Sequence, residues 1–332
     1  MKLNALARLM PVALLVAMTA CTPLFDSPPA TSSVIEGTPL PAAATLADPA
    51  SEAQTAPAAT SAPAETAEPA AALVNGQPVP LADYERALGQ YEADLQARGV
   101  DPASEEGQLE MTQARTWILN VLIEQALTEQ AATEAGIVVS DADVDAYMQE
   151  LISENGGEEA FRAKLAERGE TYESARKEVR AGLIGMAMTE RISQGTPKTT
   201  EHVHARHILV DTPEEAASIL AQLQSGADFA QLAQTYSLDT STKEAGGDLG
   251  FFPRGILVVP EVEEAAFALE PGQFSEVITS SLGYHIVQVI ERDPARQLSP
   301  DNLQMLQDRA VQEWIEGLWA QADIQRFVET AP

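Results

Sequence analysis

Three of the chain's four histidines fall within one short run, His202-Val203-His204-Ala205-Arg206-His207, and the fourth is His285. Imidazole changes charge nearest neutral pH and is a common metal ligand, so the run admits hydrogen-bond chemistry or metal binding. The run alternates as a strand does, and strand neighbours point to opposite faces. Val203, Ala205, His207 and Leu209 then share one face, while His202 and His204 point the other way. Parity separates His207 from its would-be co-ligands, and no cysteine stands nearby to complete a tetrahedral set, so neither metal nor cofactor is expected. A histidine among Val, Ala and Leu reads as a residue that shapes a site through hydrogen bonds. Asp239, in Tyr236-Ser237-Leu238-Asp239, precedes the turn-forming Thr240-Ser241-Thr242. Its carboxylate is either a turn residue or an electrostatic partner, and both readings stand. Gly246, Gly247 and Gly250 read as backbone turns; no helix with a lysine follows to make a phosphate cradle.

The elements that must position these residues are legible in outline. The chain has 332 residues, room for two domains, with 45% hydrophobic residues and a net charge of −30. That charge excludes a basic nucleic-acid stripe and favours solubility, with attraction of basic or unfolded partners as a sharper reading. The single cysteine, Cys21, follows a positive start (Lys2, Arg8), an apolar run over 9–17 and Met18-Thr19-Ala20. The run is too short to span a bilayer, and the order looks like a bacterial lipobox. It implies cleavage before Cys21, acylation there, and attachment to a membrane outside the cytoplasm; an ordinary signal peptide is the plainer alternative. Residues 22–72, rich in Pro, Ala, Thr and Ser, read as a disordered tether. Polyproline stretches of roughly 3 Å per residue could lift a folded head well off the surface.

Ordered structure is expected from residue 73. Asn75-Gly76 between short apolar pieces predicts a hairpin turn. Helical spacing dominates 81–192, and the helix holding Trp117, Ile118, Leu119, Val121, Leu122 and Ile123 reads as apolar nearly all round and therefore central. Gly136 reads as its stop, and Ser140 with Asp143 as a capping box opening the next helix. Gly195-Thr196-Pro197 marks a boundary. Ser299-Pro300 opens a last helix with Leu303, Leu306, Ala310, Trp314, Ile315 and Leu318 on one stripe. That stripe predicts packing back onto the helices of 81–192.

Five ordered blocks span 203–292. They are Ala205-Arg206-His207-Ile208-Leu209-Val210; Gly226-Ala227-Asp228-Phe229-Ala230; Tyr236-Ser237-Leu238-Asp239; Gly246-Gly247-Asp248-Leu249-Gly250-Phe251-Phe252; and Gly283-Tyr284-His285-Ile286-Val287. Together they resemble the parvulin family of peptidyl-prolyl isomerases. The flanking regions are similar to PrsA-type and SurA-type foldases. The resemblance implies an α+β fold: a helical SurA-N/PrsA-like chaperone domain with an inserted parvulin domain, a four-stranded antiparallel sheet with surrounding helices. The expected partition is a signal peptide at 1–21, a linker at 22–72, a helical domain at 73–196, the parvulin domain at 198–294 and the C-terminal helix at 298–330.

The resemblance further implies catalysis of X–Pro rotation by His207, His285, Asp239, Ser237 and Ser280. The two histidines match the family pair, Asp239 stands where many relatives have cysteine, and the serines match hydroxyls that join the histidine network or cap strand ends. The proline pocket is expected from Leu249, Phe252, Leu257, Val258 and Val262. Relatives commonly read Gly-Gln-Met-Val-Pro-x-Phe where this chain reads Gly255-Ile256-Leu257-Val258-Val259-Pro260-Glu261-Val262, one residue longer and without the aromatic. That loss of contact area bears on rate more than on fold. The acidic Asp211-Thr212-Pro213-Glu214-Glu215 would repel phosphorylated substrates. The expected partners are unfolded exported polypeptides. The alternatives are a holdase chaperone, or an envelope scaffold with a weak parvulin domain.

Overall fold

The computed structural model describes residues 68–328. Cys21, the signal segment and the tether up to residue 67 lie outside the described residues, as do residues 329–332. Among the described residues, no helix is long and apolar enough to cross a membrane.

The described chain enters on a hairpin of β1 (Ala70–Val74) and β2 (Gln77–Pro80), closed by Val74 opposite Gln77. Asn75 and Gly76 both take positive φ, 52° and 79°, the turn that matches strand twist and selects Asn-Gly. Five helices follow: α1 (Leu81–Ala97), α2 (Glu105–Glu134), α3 (Asp141–Glu154), α4 (Glu158–Glu167) and α5 (Tyr172–Gln194). The 30-residue α2 is the axis of this part, with Ile118, Leu119 and Ile123 wholly buried among residues of β1, β2 and α1. Its apolar surface is not covered all round, because Trp117 is 45% exposed. Gly136, at φ 70°, ends the helix, and Ser140 and Asp143 form the reciprocal capping box that starts α3. Val144, Met148, Phe161, Leu165 and Val179 make a second core among α3, α4 and α5.

The sheet region follows: β3 (Thr199–Val210), α6 (Pro213–Gln224), α7 (Phe229–Tyr236), a 3₁₀ turn at Lys243–Ala245, β4 (Asp248–Pro253), α8 (Pro260–Ala268), β5 (Ile278–Ser280) and β6 (Gly283–Gln297). The strands form one antiparallel sheet in the order β4-β3-β6-β5. The two faces of the sheet bury different cores. Ile208, Val210 and Ile286 pack on α6 and α7, while Val203, Ala205, Val287 and Val289 pack with Phe252 and α8.

After the sheet, Ser299 caps α9 (Pro300–Gln321) by accepting the Asn302 amide. α9 returns to the helical part: Leu318 and Trp319 join the core of α2 and β1, and Gln307 donates to the Ser193 carbonyl. No residue of α9 is fully buried. A short β7 (Ile324–Arg326), not anticipated from the sequence, then pairs antiparallel with β1 and makes a three-stranded sheet. The molecule is therefore α+β, a helical body interrupted by an α/β unit with a four-stranded antiparallel sheet.

Candidate active site

His207 and His285 meet because adjacent strands carry them in a diagonal register. His207 pairs with Val287 and Leu209 pairs with His285, so the imidazoles emerge from one face. Their rings stack with centroids 5.6 Å apart and planes 20° apart, and their Nδ1 atoms lie 3.5 Å apart. His202, also buried, is on the opposite parity, with Nδ1 2.9 Å from the Thr200 carbonyl. Among the described residues, no group of three or more His, Cys, Asp or Glu side chains is arranged to hold a metal ion.

The loop after α7 brings Asp239 to this pair. Leu238 donates its amide to the Leu209 carbonyl at 2.7 Å, tying the loop to β3. The buried Ser237 hydroxyl accepts the amides of Leu209 and Asp239 at 3.2 and 3.3 Å. Ser237 is thus a backbone staple beside the network, touching neither imidazole among its hydrogen bonds. Asp239 Oδ2 lies 2.7 Å from His207 Nε2 and accepts the Thr242 hydroxyl at 2.5 Å. Oδ1 accepts the Ser241 hydroxyl and amide at 2.5 and 3.0 Å. Burial pushes this carboxyl upward, but the Ser241 and Thr242 hydroxyls and His207 outweigh it and hold the carboxyl well below its usual range. Thr240-Ser241-Thr242 forms the turn its composition predicts, and the turn also aims two hydroxyls at Asp239.

At the other end, the Ser280 hydroxyl lies 2.7 Å from His285 Nε2, and its oxygen accepts the Leu282 amide at 3.0 Å. An ionised Asp239 only accepts, so His207 presents Nε2–H to it. Close polar contacts thus run from Ser280 through both imidazoles to Asp239. His285 itself is enclosed. Burial first, and the neighbouring His207 second, lower its pKa from 6.5 to about 4 against the pull of Glu261 and Asp239.

Beside the imidazoles lies an apolar bed. Phe252 and Val262 are buried, with Phe252 edge-on to Phe267 at 6.1 Å, and Leu249 and Leu257 pack against them half-exposed. Val258 does not belong to this bed: it is 93% exposed. The reason is Glu263, whose carboxylate accepts the amides of Gly255, Ile256 and Leu257 at 2.8, 3.0 and 3.1 Å. That grip fixes the backbone up to Leu257, and the chain bends at Val258, whose side chain faces solvent. Glu263 was not anticipated; its signal is a carboxylate in the first turn of a helix just after a glycine-started loop. Gly247 explains its own type. A Cβ there would lie 2.0 Å from the His207 carbonyl oxygen, at φ 81°.

Sheet, paired imidazoles and apolar bed together define the parvulin class of peptidyl-prolyl cis-trans isomerase. Residues 190–293 match the family model of the PPIC-type PPIase domain, and residues 59–167 match that of the SurA-like N-terminal domain. The chain is 31% identical over 236 residues to the foldase protein PrsA of Caldanaerobacter subterraneus, covering 65% of this chain and 72% of that protein. It is 34% identical over 229 residues to the PrsA of Halalkalibacterium halodurans, covering 62% and 68%. A crystal structure of PrsA from Bacillus anthracis aligns at 29% identity, covering 61% of this chain and 94% of that one, with a TM-score of 0.40. The chain belongs to the PrsA foldase family and carries a parvulin-type peptidyl-prolyl isomerase domain.

Proposed function

We propose that this protein isomerises X–Pro bonds of unfolded exported polypeptides at the His207–His285 face of the sheet, while its helical body holds the client. The series of polar contacts from Ser280 to Asp239 carries this reading, because it fixes both rings beside the partly buried Leu249 and Leu257. Rotation about the peptide bond costs roughly 18–20 kcal/mol because resonance is lost in the twisted state. No covalent bond and no net proton transfer is needed. A prolyl ring seated on Leu249 and Leu257, above Phe252 and Val262, loses water from its amide, which weakens resonance. Fixed dipoles of the imidazole chain then favour the twisted carbonyl more than the planar one. In this scheme His207 and His285 face the substrate, Asp239 and Ser280 orient them, and Ser237 holds the loop that brings Asp239.

The remaining proposals follow from the sequence. Lipobox-like residues before Cys21 support export and lipid attachment at that cysteine, to a membrane facing away from the cytoplasm, with a tether that ends before β1 and not at residue 72, because Ala71 and Ala72 are buried in that strand. The working division is the helical part, begun at β1 rather than at residue 73, then 198–294 and 298–330. Replacement of the pocket aromatic by Val262 favours one second reading, a holdase that clamps peptides and turns them over slowly.

A protease-coupled assay on peptides differing in the residue before proline tests the main reading. Acceleration by the wild-type chain that Leu257→Ala reduces about tenfold supports it. Uncatalysed rates across the panel, with suppression of client aggregation intact, would leave the holdase in its place. Cys21→Ser tests the anchor: the protein should leave the membrane fraction, and retention there would contradict acylation.

A further inference from the structure

The loop over residues 254–259 carries Leu257 to the apolar bed, yet its supports come from two parts of the molecule. From within the α/β unit, Glu263 holds three successive amides, and Arg254 lies over the Phe267 ring at 4.1 Å. From outside comes α9, which belongs to the helical body. A Cβ built on Gly255, at φ 86°, would lie 3.0 Å from Leu306 Cδ2 and 3.1 Å from Arg309 Nη1. Loop backbone and α9 side chains therefore approach closely, and a methyl group at Gly255 would press on both side-chain ends. Arg309 donates to Glu313 at 2.7 Å, and the Glu313 carboxylate, with Glu263 behind it, raises the guanidinium's pKa. The guanidinium thus lies beside the loop backbone at Gly255 and within electrostatic reach of the carboxylate that organises the loop.

We propose that Leu306 and Arg309 of α9 are positioning residues of the isomerase. Through Gly255 and Glu263 the helical body sets where Leu257 stands, and so how tightly a prolyl segment is held. This rests on the isomerase reading and extends it. Client binding and turnover become physically coupled, because whatever shifts α9 shifts the floor of the proline site. Leu257 is the lever: it is the one loop side chain shared by the amide grip and the apolar bed.

The test uses the full chain. Arg309→Ala is the first variant, because this side chain is 53% exposed and its removal should leave the fold intact. Leu306→Ala is the second, and Arg309→Lys the conservative control. Each is measured for kcat and KM on an X–Pro peptide and for the amide resonances of Ile256 and Leu257. The alanine variants should raise KM on the order of tenfold with kcat nearly unchanged, and shift both amides. Arg309→Lys should recover part of the KM. Folded variants with wild-type KM and unmoved amides would overturn the proposal. A wild-type chain with no turnover would overturn the isomerase reading instead, and the two amides would then decide the α9 contact alone.

Discussion

Replacing His285 with glutamine removes one titrating group from the middle of the sheet, and the pH dependence of stability should show its removal. In the folded chain His285 is 1% exposed, and its pKa falls from 6.5 to about 4. The unfolded chain therefore binds a proton over that interval that the folded chain refuses. By linkage, the stability this neutral imidazole confers is fully present above pH 6.5 and is lost as pH falls through about 4. At 1.36 kcal/mol per pH unit, the loss comes to about 3 kcal/mol. Urea unfolding followed by far-ultraviolet circular dichroism, at intervals from pH 7.5 to about 3.5, measures it in both proteins. Carboxylates elsewhere titrate in both proteins and cancel in the difference. The wild type should lose about 3 kcal/mol more than His285→Gln across the window, whatever constant cost the glutamine adds. Parallel curves would mean that His285 ionises freely in the fold, and the reasoning from enclosure and from its neighbour His207 would be wrong.

Thr242→Val keeps the volume but deletes a hydroxyl from Asp239; it should cost about 1.5–3 kcal/mol at neutral pH. Because the carboxyl is held low, the cost should shrink as pH falls through the acid range, which the same urea titration reads. Gly247→Ala sets a methyl against the His207 carbonyl in a backbone that side chains avoid; a loss of about 3 kcal/mol or more and of isomerase activity is expected. Calorimetry checks it, and a wild-type transition would contradict the close approach. Glu263→Gln weakens a charged grip on three amides, so KM should rise roughly fivefold, corresponding to about 1 kcal/mol, with kcat little changed.

Local rules made much of this fold legible. Asn75-Gly76, the Ser140–Asp143 box and Ser299-Pro300 each specify a turn or cap from neighbouring residues alone, and each appears in the structure. Strand parity separated His207 from His202 and His204 because the period of two survives the β-bulges of β3. What escaped depends on distant contacts. β7 is three residues whose strand character comes from pairing with β1, hundreds of residues earlier, and Ile324-Gln325-Arg326 carries no alternation to show it. Trp117 sits among apolar residues at helical spacings, yet no element covers it fully. Val258 and Leu257 are adjacent and similar in chemistry; the Glu263 grip and the bend at Val258 are set by the fold and not by either residue's type. Ser241 and Thr242 look like turn formers because they are, and their second role depends on where Asp239 lies in space.

Exchange NMR on a proline-containing peptide, with the cis and trans signals followed directly, tests the paired-imidazole site most simply. The wild-type chain should accelerate interconversion, and a His207→Ala/His285→Ala double variant that keeps its fold should lose that acceleration about tenfold or more. Equal acceleration by both proteins would show that the imidazole chain is not what eases the prolyl bond out of planarity.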